Sequence, residues 1–383
     1  MLSKHYGRVL SRHKWILPGA VLLVTAFAFQ RASAATLSEL IAKAKQEGAL
    51  NATVPSSITG KTTQPLAAAF KKRFGLDIQI TITAIENPES FPKALAETKA
   101  GRTPTYDVID GADTDHVTLL GVGGTQKVDN WKELLTEVNP LVRSGKVPPD
   151  QLSPKPLDGF AFAYLSWEKS LAYNPRLISV DKLPKTHADL GDPRYKGMWT
   201  QPPWTTHWDP GPVVVPNVST EQWIEIVRKA GRNAGAVQTE SAGIQRMLLG
   251  EYAFTMANTY YYFMYKSKDP QAPIAITFFK DFNVSSTALY AVRKSARNPA
   301  AGTLFALWMG TPEAESIWQT VNFYNQAWGD SEVDRKVRQI KEESGAKMVE
   351  VIRTEKGLEF LKWLGTEEGR KYKESLGRAI RGQ

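Results

Sequence analysis

Three consecutive tyrosines, Tyr260 to Tyr262, follow Asn258 at the end of an apolar run. The run, Glu251 to Met256, is typical of a strand in a covered parallel sheet. Residues that come directly after such strands lie where an open α/β sheet binds its ligands. Phenols and an amide can donate hydrogen bonds, present aromatic faces and, once deprotonated, bind a hard metal ion. The alternative is a strand-to-helix junction whose tyrosines only pack.

Two loops in the first half of the chain are expected at the same edge of the sheet. One follows the first predicted strand and carries Ser56 and Ser57, whose hydroxyls could donate to an anion. The other follows the third predicted strand and carries Asp110 and Asp113, which could face a cation. Residues of these types are also common as turn and cap residues without any ligand.

A passage dense in tryptophan and proline, residues 199–212, brings Trp204, His207, Trp208 and Asp209 together in sequence. One interpretation is a rigid surface loop packed by its own aromatic rings. The other is the aromatic wall of a pocket, in which Trp204 would contact an organic cation through its ring face.

The elements that must position these residues follow a β-α-β-α order. A capping box at Thr36 and Glu39 predicts the first helix. The strands Leu50–Val54, Asp77–Thr83 and Tyr106–Ile109 follow, with helices between them. This order predicts an α/β fold with a largely parallel sheet.

Composition excludes several classes of protein. The chain has 383 residues, of which 42% are hydrophobic and 23% charged, as in a globular protein of two or three domains. It has no cysteine, which excludes disulfides, thiolate metal sites and a cysteine nucleophile. Removing the five basic residues of segment 1–34 lowers the formal net charge from +9 to +4. We therefore expect no nucleic-acid binding.

The first 34 residues have the order of a secretory signal peptide. Lys4 to Lys14 is basic, Trp15 to Phe29 is apolar, and Ala32-Ser33-Ala34 is a small-residue cleavage site. We expect cleavage after Ala34 and a periplasmic or extracellular mature protein. An uncleaved N-terminal anchor is the alternative.

Short enzyme signatures are absent from the sequence. It contains no Gly-x-Ser-x-Gly elbow, no Walker A loop and no His-Glu-x-x-His motif. This favours a binding protein over an enzyme. The alternative is a secreted α/β hydrolase that uses Asp110 or Asp113 with His116.

Several passages resemble the ferric-iron-type solute-binding proteins of ABC importers. Asp189–Gly197, with the sequence DLGDPRYKG, is similar to their DLxDPxYKG element. Tyr106–Asp110 resembles their YDV strand and Gly250–Tyr252 their GEY strand, and Leu37–Leu50 looks like the start of their mature chains. The resemblance covers about residues 36–325, in the family's order.

The resemblance implies a type II periplasmic-binding fold, in which two α/β lobes enclose a ligand cleft and close by hinge motion. The implied division is a leader at 1–34, a first lobe at 35–160 plus 280–383, and a second lobe at 161–279. The chain would cross between lobes near Phe160–Tyr173 and return near Ile274–Phe279. The implied function is a monomeric receptor that delivers a small ligand to an ABC permease. A sensory protein that feeds a membrane receptor is the variant with the same fold.

Iron-binding members of this family carry two adjacent tyrosines after an asparagine, and Tyr260 and Tyr261 match them. Iron(III) would pull the pKa of both phenols far below the usual value of about 10. The first loop lacks the His, Tyr or Glu ligand of many members. A tyrosine-only site completed by an anion on Ser56 and Ser57 is one outcome. A small organic ion, such as thiamine, a polyamine or a phosphonate, is the other.

Overall fold

The fold is described from a computed structural model, which covers residues 35–58, 60–85 and 87–383. The predicted leader at 1–34 lies outside the described residues. Within the described chain, no helix combines the length and the apolar character that a membrane span requires.

Sixteen helices and ten strands are named here for the described residues. The helices are α1 Leu37–Glu47, α2 Gly60–Phe74, α3 Asn87–Lys99, α4 Asp113–Gly121, α5 Trp131–Val138, α6 Pro140–Arg143, α7 Pro149–Leu152, α8 Gly211–Val214, α9 Thr220–Asn233, α10 Glu240–Leu248, α11 Tyr260–Lys268, α12 Pro299–Met309, α13 Pro312–Asn322, α14 Glu332–Ser344, α15 Glu355–Leu364 and α16 Glu367–Ile380. The strands are β1 Ala49–Val54, β2 Gln79–Ala84, β3 Val108–Ala112, β4 Phe162–Tyr173, β5 Trp199–Gln201, β6 Ala236–Val237, β7 Phe254–Asn258, β8 Ala275–Thr277, β9 Asn283–Val292 and β10 Met348–Val349.

The first helix begins with the predicted capping box. The Thr36 hydroxyl accepts from the Glu39 amide at 3.3 Å, and the Glu39 carboxylate accepts from the Thr36 amide at 2.8 Å. Gly48 ends the helix with a left-handed φ of 73°, which glycine adopts without strain. Strand β1 then starts at the next residue, so the cap fixes where the chain enters the sheet.

The sheet order is β2-β1-β3-β9-β4-β7-β5-β6, with β10 paired to β9 and β8 paired to β4. The outer strands pair in parallel, as predicted for a β-α-β chain. The sheet as a whole is mixed, because β9 runs antiparallel to β3 and β4, and β4 runs antiparallel to β7. The prediction of a largely parallel sheet therefore missed the two long central strands.

Strands β4 and β9 connect two hydrophobic cores. The first half of β4, Phe162 to Glu168, pairs with β9, and the second half, Lys169 to Tyr173, pairs with β7. The sequence predicted a first crossing near Phe160–Tyr173, and β4 spans Phe162–Tyr173. The return was predicted at Ile274–Phe279, but β8 pairs only with the second half of β4. The chain returns instead along β9, which also pairs with β3.

The C-terminal tail packs differently from the predicted division. Residues 280–383 were assigned to the first lobe, and β9, α12 and α13 do contribute to the first core. Helices α15 and α16, however, bury their apolar residues in the second core. The change occurs between neighbours, because Ile352 is buried in the first core and Val351 in the second. The hydrophobic pattern of a helix shows which of its faces is buried. It does not show which of two cores that face covers.

Asp107, in the YDV strand, joins three elements of the first core. Its buried carboxylate accepts from the Asn51 amide at 2.8 Å, the Asn298 amide at 3.0 Å and the Asn298 side chain at 2.8 Å. These contacts hold β1 and the start of α12 against β3.

We expect Asp107→Ala to lower the free energy of unfolding by roughly 3 kcal/mol, because three buried donors lose a charged acceptor. Denaturant unfolding followed by circular dichroism measures this change. Asp158→Ala, at an exposed ion pair with Lys127, is the control and should stay within about 0.5 kcal/mol. Equal losses of unfolding free energy in the two variants would contradict the role of Asp107 in holding β1 and α12 against β3.

Candidate ligand site at the tyrosine cluster

Tyr260 and Tyr261 begin α11, directly after β7 ends at Asn258. The sequence placed them at this strand end, and the structure confirms that position. Their rings stack with centroids 4.3 Å apart and an interplanar angle of 29°. The Thr259 amide donates to the Glu168 carbonyl at 3.0 Å, which fixes the start of the helix against β4.

A third tyrosine, Tyr324, completes the cluster from a distant part of the chain. Its ring centroid lies 4.6 Å from that of Tyr260, in an edge-to-face arrangement. Phe323 ends α13 with a left-handed φ of 55°, an unusual conformation for a residue with a side chain. The chain then pairs Asn325 with Ser166 of β4. Sequence reasoning missed Tyr324, because nothing near it in sequence marks a strand end.

Glu168 links the two segments that carry the tyrosines. Its carboxylate is fully buried and accepts from the Asn325 side chain at 3.2 Å and from the Thr259 hydroxyl at 3.4 Å. Lys341 of α14 supplies the compensating charge at 2.5 Å. A buried carboxylate needs such partners to offset its loss of hydration. Glu168, which lies on β4, therefore holds both Thr259, which precedes Tyr260, and Asn325, which follows Tyr324.

Beside the tyrosines lies a second buried carboxylate, Glu240, at the start of α10. It accepts from the Asn258 amide at 3.2 Å, from the Asn258 side chain at 2.7 Å and from His207 at 3.0 Å. Burial alone would raise the pKa of Glu240, but the His207 hydrogen bond and the charge of Lys169 outweigh it and lower the pKa. Glu240 is therefore a negative charge at neutral pH.

The phenols sit in an environment that disfavours their ionisation. Burial is the largest cause that raises the pKa of Tyr260, Tyr261 and Tyr324, and the negative charge of Glu240 raises all three further. The Tyr260 ring contacts those of both Tyr261 and Tyr324, which keeps the three phenols together. Three neutral phenols beside a fixed carboxylate form a site that favours a cation.

The other predicted site residues divide into those near the tyrosines and those elsewhere. The Ser57 hydroxyl lies beside Tyr324, where it opposes the rise in the phenol's pKa that burial causes, and it has no hydrogen-bond partner of good geometry. Ser56 is exposed in the same turn. The side-chain oxygen of Asn258, Oδ1, is also buried without a protein partner. The structure thus places Ser57 and Asn258 beside the tyrosine cluster.

Asp110 and Trp204 do not face the tyrosines. Asp110 is buried in the first core, where its carboxylate accepts from the Tyr164 hydroxyl at 2.7 Å. Trp204 is 38% exposed, whereas Trp208 is buried in the second core and donates to Gln201. The Trp208 ring therefore packs the tryptophan-rich loop. This arrangement corresponds to a surface loop that is held by its own aromatic rings.

The residues of the hydrolase alternative do not assemble. The His116 ring is fully buried, contacts Phe91 and lies 2.8 Å from the Leu289 carbonyl. Burial lowers its pKa to about 4, so it is neutral and poorly suited to take up a proton. Asp113 lines a separate cavity, and Asp110 is paired with Tyr164.

Among the described residues, no group of three or more His, Asp or Glu side chains could hold a metal ion. A metal at this site would therefore need phenolate ligands. The tyrosine cluster offers three of them, Tyr260, Tyr261 and Tyr324.

The described chain thus has two large hydrophobic cores connected by the long strands β4 and β9, a smaller third cluster, and a polar site near the point where the strands cross. The family model of the bacterial extracellular solute-binding proteins matches residues 65–325. The chain belongs to this family, whose members are binding proteins of the ABC-transporter type rather than enzymes. No curated protein sequence matches the chain.

Solved structures with the same fold include several ferric-binding proteins. The ferric binding protein from Campylobacter jejuni has 19% sequence identity and a TM-score of 0.65, over 86% of this chain and 99% of that one. Iron-bound HitA from Pseudomonas aeruginosa has 17% identity and a TM-score of 0.64, over 83% and 99%. Trichodesmium IdiA (FutA) with iron and citrate has 16% identity and a TM-score of 0.64, over 87% and 99%. These likenesses confirm the two-lobe fold.

The charge state of His207 gives a test of the site's electrostatics. Burial lowers the pKa of His207 from 6.5 to about 4, although the hydrogen bond to Glu240 acts in the opposite direction. At pH values between about 4 and 6.5, His207 binds a proton in the unfolded chain but not in the folded protein. The contribution of His207 to stability is therefore lost as the pH falls through this window.

We expect the wild type to lose roughly 1–2 kcal/mol of unfolding free energy between pH 7 and pH 5 relative to His207→Gln, whose amide can still donate to Glu240. Denaturant unfolding of both proteins at each pH measures the difference. A wild type that gains stability on acidification relative to the variant would mean that His207 is charged.

Proposed function

We propose that this protein is an extracytoplasmic receptor for ferric iron, which it binds through the phenolates of Tyr260, Tyr261 and Tyr324. The observation that carries the proposal is the convergence of three tyrosine side chains beside the ionised Glu240. Iron(III) is a hard cation, and oxygen anions are its preferred kind of ligand. The iron-bound state of related structures supports the same cargo.

Ion binding would proceed with loss of protons. Each phenol is neutral in the free protein, because burial and Glu240 raise its pKa. A trivalent cation reverses this preference and displaces the phenol proton. Ser57 and Asn258 have unpaired polar atoms beside the tyrosines and would bind the remaining ligands of the ion, such as a small anion or water.

Titration of the chelator-stripped protein with iron(III) citrate tests the proposal. We expect a visible phenolate-to-iron band, the release of protons, and tighter binding at higher pH because protons compete with the ion. Tyr260→Phe, Tyr261→Phe and Tyr324→Phe should each weaken or abolish the band.

Tyr262→Phe is the matched control, because Tyr262 lies on the same helix but its ring packs edge-to-face on Phe263, with the centroids 5.0 Å apart. The band should survive this substitution. A folded wild type that gives no band would remove ferric iron as the cargo, and a band that survives all three cluster substitutions would place the ion elsewhere.

A small organic cation is the second candidate. The stacked pair of Tyr260 and Tyr261 presents aromatic faces near Glu240, and no His, Asp and Glu cluster in the described chain supplies further metal ligands. Aromatic rings and a carboxylate suit a quaternary or primary ammonium group. A thermal-shift series with choline and putrescine, repeated on Tyr260→Phe, distinguishes this case from iron.

The proposal also includes the export of the protein and the delivery of its bound ion. The segment 1–34 would direct export and be removed after Ala34, and the mature protein would act as a monomer. The loaded protein would then bind an ABC permease. Deletion of the gene should reduce cellular uptake of radioactive iron, and re-expression of the Tyr260→Phe variant should fail to restore it.

A further inference from the structure

Two carboxyl groups, Glu315 of α13 and Asp334 of α14, are buried close to the loop that carries Tyr324. Glu315 is 3% exposed and Asp334 is 1% exposed. Two buried carboxylates without a cation between them are strongly unfavourable if both are ionised. Asp334 lies beyond residue 325, where the family match ends. The function proposed above assigns no role to this pair.

In the described part of the chain, neither carboxyl group takes part in an ion pair. Cations of the neighbouring elements bind other carboxylates, namely Arg73 on Glu313, and Lys146, Arg335 and Arg338 on the exposed Asp330. The charged group that acts on Glu315 is Asp334. Burial, and after it the negative charge of Asp334, raises the pKa of Glu315 to about 9, so Glu315 is protonated at neutral pH.

Asp334 is the member of the pair that carries the negative charge. Its Oδ1 accepts from the Gln326 amide at 2.7 Å, and its Oδ2 accepts from the Ser331 amide at 2.8 Å. Backbone N–H donors on both oxygens stabilise a carboxylate more than a carboxylic acid. Glu315 accepts at 3.2 Å from the neutral side chain of Gln319. The proton therefore belongs on Glu315.

Both carboxyl groups are connected to the segment that carries Tyr324. The Gln319 side chain donates to Glu315 and also to the Tyr324 carbonyl, at 2.8 Å. The Gln326 amide, two residues after Tyr324, donates to Asp334. Tyr324 is thus held at its own carbonyl from α13 and two residues later from α14.

We propose that Glu315 and Asp334 share one proton, and that this protonated pair positions Tyr324 through Gln319 and Gln326. The inference rests on the function proposed above, in which Tyr324 is a ligand of the ion. Loss of the proton places two negative charges next to each other in a buried site, which drives α13 and α14 apart and loosens the segment between them. The pair acts on the ion only through Tyr324, so its members are positioning residues.

The pH dependence of stability in the iron-free protein tests the shared proton. The pKa of Glu315 is about 9 in the folded protein, against a usual value of 4.5, so the folded protein binds one more proton than the unfolded chain between these pH values. The contribution of Glu315 to stability is therefore present at low pH and is lost as the pH rises through this window.

Glu315→Gln is the reference, because its neutral amide can donate to Asp334 without a proton. Relative to this variant, the folding equilibrium constant of the wild type should fall by up to about tenfold for each pH unit between about pH 6 and pH 8. Denaturant unfolding of both proteins at each pH gives the two constants.

Amide hydrogen exchange of the peptide that covers residues 323–331 tests the effect on the segment. Wild type and Glu315→Gln are compared at the same pH, so that the intrinsic exchange rates cancel. The two proteins should exchange equally at about pH 6, and the wild type should exchange faster at about pH 9, because its segment is then held less tightly.

A double-mutant cycle on iron affinity tests the positioning of Tyr324. Gln319→Leu removes both side-chain donations and should weaken iron binding by about threefold to tenfold. In the Tyr324→Phe background the same substitution should have no further effect, because Gln319 acts through that phenol. Gln339→Leu, at an exposed amide of α14 that donates to Glu343, is the control and should bind iron as the wild type does.

Three results would overturn the proposal: a stability difference between wild type and Glu315→Gln that does not change with pH, equal exchange of the two proteins at about pH 9, or additive effects of Gln319→Leu and Tyr324→Phe. If Gln319→Leu fails to fold, the exchange comparison decides. A wild type without an iron band would remove the ferric-iron proposal and with it the positioning of Tyr324 for the ion. The pH profile of the iron-free protein would still report the shared proton, so the two failures are distinguishable.

Discussion

The Glu168 carboxylate is the interaction on which the arrangement of the site depends. It is buried on β4 at the point where that strand passes from one core to the other. Its partners Thr259, Asn325 and Lys341 come from segments that are far apart in sequence. Because a buried carboxylate without partners is strongly unfavourable, these segments must meet at Glu168. Tyr260 and Tyr324, each one residue from a partner, are brought together as a consequence.

Strand β4 also carries a positive charge, on Lys169, the residue after Glu168. The Lys169 charge lowers the pKa of Glu240, and the Glu240 charge raises the pKa of the three clustered phenols. Lys169 and Glu240 thus set the electrostatic environment of the tyrosine cluster.

Sequence patterns were most informative where the signal is local. The capping box at Thr36, the strand that ends at Asn258 and the crossing strand up to Tyr173 all form within a few residues of their predicted bounds. Patterns were least informative where a residue's partner is remote. Asp110 was predicted to face a ligand by the strand-end rule, but it is paired with Tyr164, more than fifty residues away along the chain. Local sequence likewise does not specify which tryptophan of the loop is buried, and in the structure Trp208 is buried whereas Trp204 is 38% exposed.

The sequence by itself determined the class of fold, the adjacent tyrosines at a strand end and the membership of a binding-protein family, since short-range periodicity and local motifs carry this information. Tertiary structure alone decided that Tyr324 joins Tyr260 and that Glu240 is the nearby charge. Pairing of the central strands β4 and β9, whose antiparallel direction local patterns do not specify, sets which distant residues meet. Contacts between residues far apart in the chain depend on that pairing and on which core each helix covers.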